Sequence, residues 1–573
     1  MNSLSGGKAV VEALRAEEVR HVFALIGSAG MEIFDALYDE PGIGFIGVRD
    51  ERTGTHMADG YARASGRAGV ILAGQNGPGV TNLVTGLAQA HAAYSPVVAL
   101  AGSLSTAHIY RDAFQEVNQQ ALLAPVTKKT WTLTQTARIP EMMREAFRTA
   151  LTPRRGPVAL NLPRDLLAEH AQFPAFMTPQ GRGPMGRAGA DPASIEAAAR
   201  LLAGASRPLI IAGGGIKNGR YADELLALAE LLKAPVALSP GHGDAISCLH
   251  PLYAGQVGPR GNAVATGLAR EADVILAIGT RLGFNTTFYT YDHLNSAASI
   301  IQVEIEPTAI GRFFPVALGV EADAGLFARA LADALSGQPL AADPAWVRDF
   351  EARRQALWAE REATALAAGS AGSSAGGGSA IQPAALYRAL REVLPHDSMF
   401  TMDAGTLCLQ ATDQMLYRQP PALFTPLDFG LVGFSYAAGL GVKLACPDRT
   451  VVSLMGDGGF GMTVSEIGTA VAHRINTVCI VMNNGCWGAE KAYQRDFFGG
   501  RYIGADVPNP PYDRLAELYG ACGFRAERLQ EVGPAVEAAL CCGKPAVVDI
   551  QVDPNALYSF RRDSFKHRDP AAK

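Results

Sequence analysis

The stretch VVSLMGDGGFGMTVSEIGTAVAHRINTVCIVMNNG, residues 451–485, decides the fold. Its apolar runs Val451 to Met455 and Thr477 to Met482 read as buried strands of a doubly wound parallel sheet. The first runs directly into Gly456-Asp457-Gly458 and the second ends in Asn483-Asn484. Both turns then sit at the carboxyl ends of parallel strands, the edge at which such sheets bind ligands. An Asp carboxylate and an Asn carbonyl, joined by backbone and phosphate oxygens, give the all-oxygen octahedron that a hard ion such as Mg²⁺ requires. The glycines let the backbone come close to phosphate. Either turn alone is commonplace.

Outward from this stretch, a further strand at Ala546 to Ile550 completes a third α/β unit, residues 381–573, with a carboxyl-terminal tail. Before it, residues 341–380 read as a charged helical stretch, Pro344 to Ala367, followed by GSAGSSAGGGSA, 369–380, a flexible linker. Strands at Pro208 to Ala212, Val274 to Ile278 and Ile300 to Val303 mark a central unit, 190–340. Runs at Val70 to Ala73, Val97 to Ala101 and Val158 to Leu162, alternating with helical stretches such as Gly7 to Glu18, mark a first unit, 1–180. The fold class is α/β, with three doubly wound parallel-sheet domains.

The chain has 573 residues, 48% hydrophobic and 18% charged, enough for about three domains with ample core. A formal net charge of −5 gives no general attraction to nucleic acid or acidic membranes, so neither is an expected partner. Eight cysteines without CxxC spacing fit a reducing cytoplasm. No apolar run reaches the ~20 residues needed to span a bilayer, and the first residues lack the pattern of a secretory signal.

The spacing of the two turns, with Asn484 standing 27 positions after Asp457 (484 − 457), resembles the metal motif of thiamine-diphosphate (ThDP) enzymes. That resemblance makes Asp457 and Asn484 side-chain ligands of Mg²⁺ and gives Cys486 a ligand role through its carbonyl oxygen. VRDERTGTHMADGYARASGR, 48–67, is similar to the acetolactate synthase group of these enzymes. There a Glu at the position of Glu51 acts as acid and base toward the cofactor's aminopyrimidine. Taken alone, Asp50-Glu51-Arg52 reads rather as a solvated turn with local ion pairs. QNGPGVTN at 75–82 and FQE at 114–116 fall where the group carries an active-site loop and a substrate-side Phe-Gln pair, here Phe114 and Gln115.

By the same resemblance, DFGLVGFSYAAGLG, 428–441, grips the aminopyrimidine, with Val432 (or Leu431) as the apolar wedge and Gly430 supplying a carbonyl. Val is a departure from the Met or Leu of many relatives. Asp403-Ala404-Gly405-Thr406 matches the place where backbone and a polar side chain meet the diphosphate. The cofactor-binding set is thus Gly27, Asn76, Gly77, Gly79, Gly405, Thr406, Gly430, Val432, Gly456, Gly458, Trp487 and Gly488. AGGG at 212–215 falls short of GxGxxG, so FAD or CoA is disfavoured.

Ala113-Phe114-Gln115 stands where pyruvate decarboxylases carry a His-His pair. IGSAG at 26–30, AGQNGPGVTN at 73–82, FQEV at 114–117, CWGAEK at 486–491 and FRRD at 560–563 are similar to the sulfoacetaldehyde acetyltransferase family. This resemblance implies conversion of sulfoacetaldehyde and phosphate to acetyl phosphate and sulfite. Lys491, Arg561 and Arg562 are then the expected anion-binding side chains. VRDER and the tail SFKHRDP depart from that pattern, which leaves an acetolactate-synthase-like carboligase or a carbon-carbon bond hydrolase as the rival. A non-catalytic ThDP-binding homologue is a remote third reading, opposed by the retention of Glu51, Asp457 and Asn484. The resemblance also implies a homodimer or homotetramer with active sites between subunits.

Overall fold

The computed structural model describes residues 2–173, 175–182, 186–371 and 380–568. Three six-stranded sheets follow one another along the chain, and every pairing within them is parallel. The first sheet has the order Gly44–Gly47, His21–Leu25, Gly69–Ala73, Val97–Ser103, Val158–Pro163, Lys129–Thr132. The third repeats that connectivity in the order Leu423–Phe424, Met399–Met402, Val451–Gly456, Val478–Asn483, Ala546–Gln551, Cys522–Ala526. In the central sheet the order is Tyr253–Gln256, Val236–Leu238, Pro208–Ala212, Val274–Ile278, Ser299–Glu304, Leu318–Glu321. The three domains are therefore all doubly wound, but the central one winds differently from its neighbours. A short antiparallel pair, Asn2–Ser5 with His170–Phe173, closes the first domain.

The helix before the third domain reaches into the Gly/Ser stretch. The helix Pro344–Ala371 continues through Gly369 and Ser370, and the Ser370 hydroxyl donates to the Leu366 carbonyl at 3.0 Å. Residues 372–379 of the Gly/Ser stretch lie outside the described residues.

First and third domains share a core. Met57, Tyr61, Tyr436, Leu440 and Phe460 belong to one buried cluster. The contact is made by the helices Glu51–Ser65 and Ser435–Ala445, which meet backbone to backbone. A Cβ on Gly60 would stand 2.2 Å from the Ala438 carbonyl oxygen, and one on Gly441 would stand 1.9 Å from that of Met57. Only glycine fits at either position. Asp50 caps the first of these helices by accepting from the Arg52 amide, and Gly66 at φ 77° ends it. The helix therefore begins at Glu51, pinned to the end of the strand Gly44–Gly47.

The central domain docks on the edge strand of the third sheet through a buried ion pair. Lys217 Nζ is 2.7 Å from Asp244 Oδ1 and donates to the Leu423 carbonyl, while Asp244 Oδ2 accepts from the Ala422 and Leu423 amides. Each buried charge finds partners, the condition under which such a pair is tolerated.

Candidate active site

Glu51 opens its helix with only 3% of its surface exposed. Its Oε2 accepts from Asn82 Nδ2 at 3.0 Å. Burial pushes its carboxyl above the ordinary glutamate range, and the Asn82 hydrogen bond pulls the other way. A carboxyl so placed keeps its proton more readily than an exposed one, which suits a group that must exchange a proton. Gly79 leaves the space that the carboxyl occupies, since a Cβ there would lie 2.9 Å from Glu51 Oε1. Asn82 closes the motif QNGPGVTN, yet its partner is not legible from the motif.

The same edge of the first sheet carries the loop that holds Phe114 and Gln115. Tyr110, Asp112 and Gln115 all take positive φ, at 64°, 51° and 63°. Strained non-glycine residues persist only where their surroundings hold them, and they gather at functional sites. Here Glu116 accepts from the Tyr110 and Ala113 amides, at 2.6 and 3.0 Å. Asn76 Nδ2 donates to the Phe114 and Gln115 carbonyls, at 3.4 and 3.2 Å. A Cβ on Gly77 would sit 2.4 Å from the Gln115 oxygen. Asn76 and Gly77 thus build the loop, and Phe114 projects from it 84% exposed. Gly27 abuts the Gly74-Gln75 backbone, where a Cβ would stand 2.5 Å from the Gln75 nitrogen.

In the third domain, Asp457 begins a short helix directly after its strand, and Asn484 follows the next strand. The end of the Asn484 amide placed as oxygen lies 3.0 Å from the Cys486 carbonyl oxygen and 3.1 Å from Asp457 Oδ1. Turned over, that amide would donate to both. With a divalent cation between them, the three oxygens become ligands, so the residues present fit Mg²⁺. Among the described residues no group of three or more His, Cys, Asp or Glu is arranged to hold a metal ion, and the donors at this turn are a carboxylate, an amide and a carbonyl. Burial pushes the Asp457 carboxyl up to about 6, a cost that a bound cation would reverse. The Cys486 thiol is buried and pushed up to about 11, so it is not an available thiolate.

Sequence reading missed the segment that props this loop. Trp487 N donates to the Ala505 carbonyl at 2.7 Å and Val507 N to that of Gly485 at 2.8 Å. Beyond them Asn509 Nδ2 donates to Asp457 Oδ2 at 2.7 Å, and Tyr512 donates to Asn509 Oδ1 at 2.7 Å. On the neighbouring strand Asp549 braces the other turn, accepting from Asn483 Nδ2 at 3.0 Å. No motif signals these contacts.

Two helices point their amino ends at the same place. Thr406 and Gly488 are the first residues of Thr406–Gln414 and Gly488–Phe497, and a Cβ on Gly488 would lie 3.2 Å from Thr406 Oγ1. Unpaired amides at paired helix starts suit a diphosphate. Gly405 takes φ 133°, and Gly456 has open space where a side chain would be. Gly458 admits the Trp487 ring, which a Cβ would meet at 2.6 Å. Gly430 takes φ 79° with open space before it, and Val432 is half-buried nearby.

Asp403, expected near the diphosphate, performs a structural task. Its buried carboxylate accepts from the Gly433, Phe434 and Ser435 amides, at 2.8, 2.8 and 3.3 Å. It thereby fixes the segment that carries Gly430 and Val432.

Of the three expected anion-binding residues, Lys491 and Arg561 have different partners. Lys491 Nζ is 2.6 Å from Asp506 Oδ1. The Arg561 guanidinium lies over the Phe284 ring of the central domain, 4.8 Å from its centroid, and donates to Ser564 Oγ. The Arg562 side chain lies outside the described residues. The AGGG turn borders a cavity of about 400 Å³ in the central domain, lined also by His242, Arg281 and Asp428.

Among the described residues no hydrogen bond or ion pair joins Glu51, Asn82 or Gln115 to Asp457, Asn484 or Val432. No described helix is long and apolar enough to cross a membrane.

Comparison with known proteins identifies the family of all three domains. Residues 4–122 match the family model "Thiamine pyrophosphate enzyme, N-terminal TPP binding domain". Residues 195–331 match the central domain of that family, and 403–550 its C-terminal TPP binding domain. The chain is 34% identical to a sulfoacetaldehyde acetyltransferase of Alcaligenes xylosoxydans xylosoxydans, over 98% of this chain and 96% of the relative. It is 35% identical to one of Castellaniella defragrans, again over 98% and 96%. A probable acetolactate synthase large subunit of Methanococcus aeolicus is 33% identical, over 97% and 93%. With all three domains matched and relatives aligned over nearly its whole length, the chain belongs to the thiamine pyrophosphate enzyme family.

Proposed function

We propose that this enzyme converts sulfoacetaldehyde and phosphate to acetyl phosphate and sulfite, acting in the cytoplasm with thiamine diphosphate and Mg²⁺. The observation that carries the reading is near full-length similarity to two sulfoacetaldehyde acetyltransferases, in a chain whose site keeps both the buried Glu51 and the Asp457, Asn484 and Cys486 oxygens. In balance, the aldehyde carbon gives up its hydrogen as a proton and gains a bond to a phosphate oxygen, while the neighbouring carbon releases sulfite with the carbon-sulfur electron pair and takes up a proton to become the methyl group.

Asp457, Asn484 and the Cys486 carbonyl would hold the metal, and the helix starts at Thr406 and Gly488 would take the diphosphate. When bound, the cofactor supplies a carbon nucleophile and an electron sink. The chain's own work is positioning and proton transfer. Glu51 holds the exchangeable proton on its carboxyl, and Asn82 fixes the direction in which that carboxyl points. Phe114 and Gln115 shape the substrate side. Lys491, Arg561 and Arg562 are proposed to meet the sulfonate or the phosphate.

A second copy of the chain is proposed to complete the site, in a homodimer or a homotetramer. Supporting this, the ligand edges of both domains present exposed apolar side chains: Ile26 and Phe114 on the first, Phe429, Met462 and Ile503 on the third.

The test incubates the purified protein with thiamine diphosphate, Mg²⁺, phosphate and sulfoacetaldehyde and assays sulfite and acetyl phosphate, with pyruvate in parallel. Equal amounts of sulfite and acetyl phosphate are expected. Acetolactate from pyruvate, with neither of the other products, would replace this reading by the carboligase, which the acetolactate synthase relative favours.

A further inference from the structure

The Gln115 side chain is oriented by a chain of hydrogen bonds that begins at a backbone amide. Ser28 N donates to Gln75 Oε1 at 2.9 Å, and the Ser28 hydroxyl lies 3.1 Å from the same oxygen. An amide nitrogen cannot accept from Ser28 N–H, so this contact settles which end of Gln75 is oxygen. Its other end, Nε2, must then donate, and it does so to Gln115 Oε1 at 2.6 Å and to Asn76 Oδ1 at 3.2 Å. Gln115 is thereby settled too. Its oxygen is spent on Gln75, and its NH₂ is the end left for a ligand. Asn76 Nδ2 is occupied by the Phe114 and Gln115 carbonyls, so Gln115 Nε2 is the donor this cluster still has to give.

The backbone supports the same geometry. Gln115 sits at φ 63°, with its carbonyl seated against Gly77. Gln75 is half-buried and held by Gly27, whose missing side chain lets the two strand ends close on one another. A turn of the Gln115 amide would bring its NH₂ against Gln75 Nε2 and leave that donor unmatched, which costs more than the orientation observed.

We propose that Gln75 is a positioning residue that fixes Gln115 as a hydrogen-bond donor toward a negatively charged oxygen of the substrate, a sulfonate or carboxylate oxygen beside the reacting carbonyl. This deepens the function proposed above and rests on its placement of Gln115 on the substrate side. Two N–H donors presented from a fixed amide suit an oxyanion, whereas an amide oxygen in the same place would repel one. Gln75 touches no substrate in this account and acts through Gln115.

Gln75→Glu tests it. Glutamate keeps the acceptor for Ser28 but has no hydrogen to give Gln115 Oε1, so the Gln115 amide turns over and shows its oxygen to the substrate. The holoenzyme, with thiamine diphosphate and Mg²⁺, is titrated calorimetrically with isethionate, an unreactive sulfonate, and with oxamate, an unreactive carboxylate. KM and kcat are measured on sulfoacetaldehyde with phosphate and on pyruvate. The expected result is a KM raised tenfold or more for the substrate that is turned over, kcat within threefold, and the matching probe bound at least tenfold more weakly. In a Gln115→Ala background the same change at position 75 should alter KM by less than twofold, because the residue it acts through is gone. Gln75→Leu, which loses the donor without adding charge, serves if the glutamate variant does not fold. An unchanged KM and probe affinity, or a penalty that persists in full beside Gln115→Ala, overturns the proposal. Turnover of pyruvate and not sulfoacetaldehyde would instead sink the acetyltransferase reading, while the position-75 effect on pyruvate and oxamate would still decide the role of Gln75.

Discussion

Asn82 Nδ2 and Glu51 Oε2 stand 3.0 Å apart, joining the helix Pro78–Ala92 to the residue that opens another helix 31 positions earlier in the chain. Burial raises the Glu51 carboxyl, and this hydrogen bond opposes the rise by stabilising the charged form. Asn82→Leu removes the opposition at similar volume. The acidic limb of the kcat/KM profile is expected to move to higher pH, with the melting temperature little changed. A limb that stays in place would detach Asn82 from the proton chemistry.

Gly79→Ala separates folding from function. The new Cβ would meet Glu51 Oε1 at 2.9 Å and Gln75 Cβ at 3.3 Å, with no backbone atom among its near neighbours. The carboxyl is the far end of a flexible side chain and can swing away at small cost to stability. It then no longer points where Asn82 and the helix start aim it. Turnover is expected to fall by about 10²–10⁴, the usual range for a lost general acid or base, and Glu51→Gln should match it. Wild-type turnover in either variant would remove Glu51 from catalysis.

Asp403→Asn probes the segment that carries Val432. The ionised carboxylate accepts from three backbone amides, and asparagine offers one oxygen and turns an NH₂ toward the rest. A loss of about 1–3 kcal/mol is expected, since each stranded buried donor costs in that range. Asp403 is pushed up to about 6 in the fold by burial, against 3.8 ordinarily. The folded state therefore keeps this proton to higher pH than the unfolded state. The associated stability is complete below pH 3.8 and is lost as pH rises to about 6. Thermal melts of wild type should carry that slope, and those of Asp403→Asn should lack its share. Equal slopes in the two proteins would show that Asp403 does not titrate in this window.

The sequence carried the chemistry of single positions further than the contacts between them. Asp457, Asn484 and Glu51 stood out through resemblance to known motifs, since either turn alone is commonplace and Asp50-Glu51-Arg52 alone reads as a solvated turn. Asn509, 52 positions from the Asp457 it touches, stands in a loop with no periodicity or motif. Gly60 and Gly441 each resemble any helix glycine, and only their meeting across two domains gives the reason for both. Within Asp403-Ala404-Gly405-Thr406 nothing in the sequence says that the Asp403 side chain anchors the start of another helix. The order of the central sheet was equally hidden, because apolar runs identify strands without saying which strands are neighbours.

Asn509 gives the sharpest test of the metal site. Its amide is fixed at both ends, receiving from Tyr512 and donating to Asp457 Oδ2 at 2.7 Å, so Asp457 keeps Oδ1 directed toward Asn484. Partners of this kind typically alter metal affinity by about 10–100-fold when removed. Asn509→Leu should accordingly weaken Mg²⁺ binding in the presence of thiamine diphosphate by about that factor, read as the Mg²⁺ concentration for half-maximal activity and by calorimetric titration. Saturating Mg²⁺ should restore most of the turnover, because the ligands themselves remain. Tyr512→Phe should produce a smaller change in the same direction, as it leaves Asn509 in place but frees its oxygen end. If Asn509→Leu needs no more Mg²⁺ than wild type, then Asp457 is held by its own strand and helix, and the loop from Ala505 to Asn509 serves only to keep Trp487 in place.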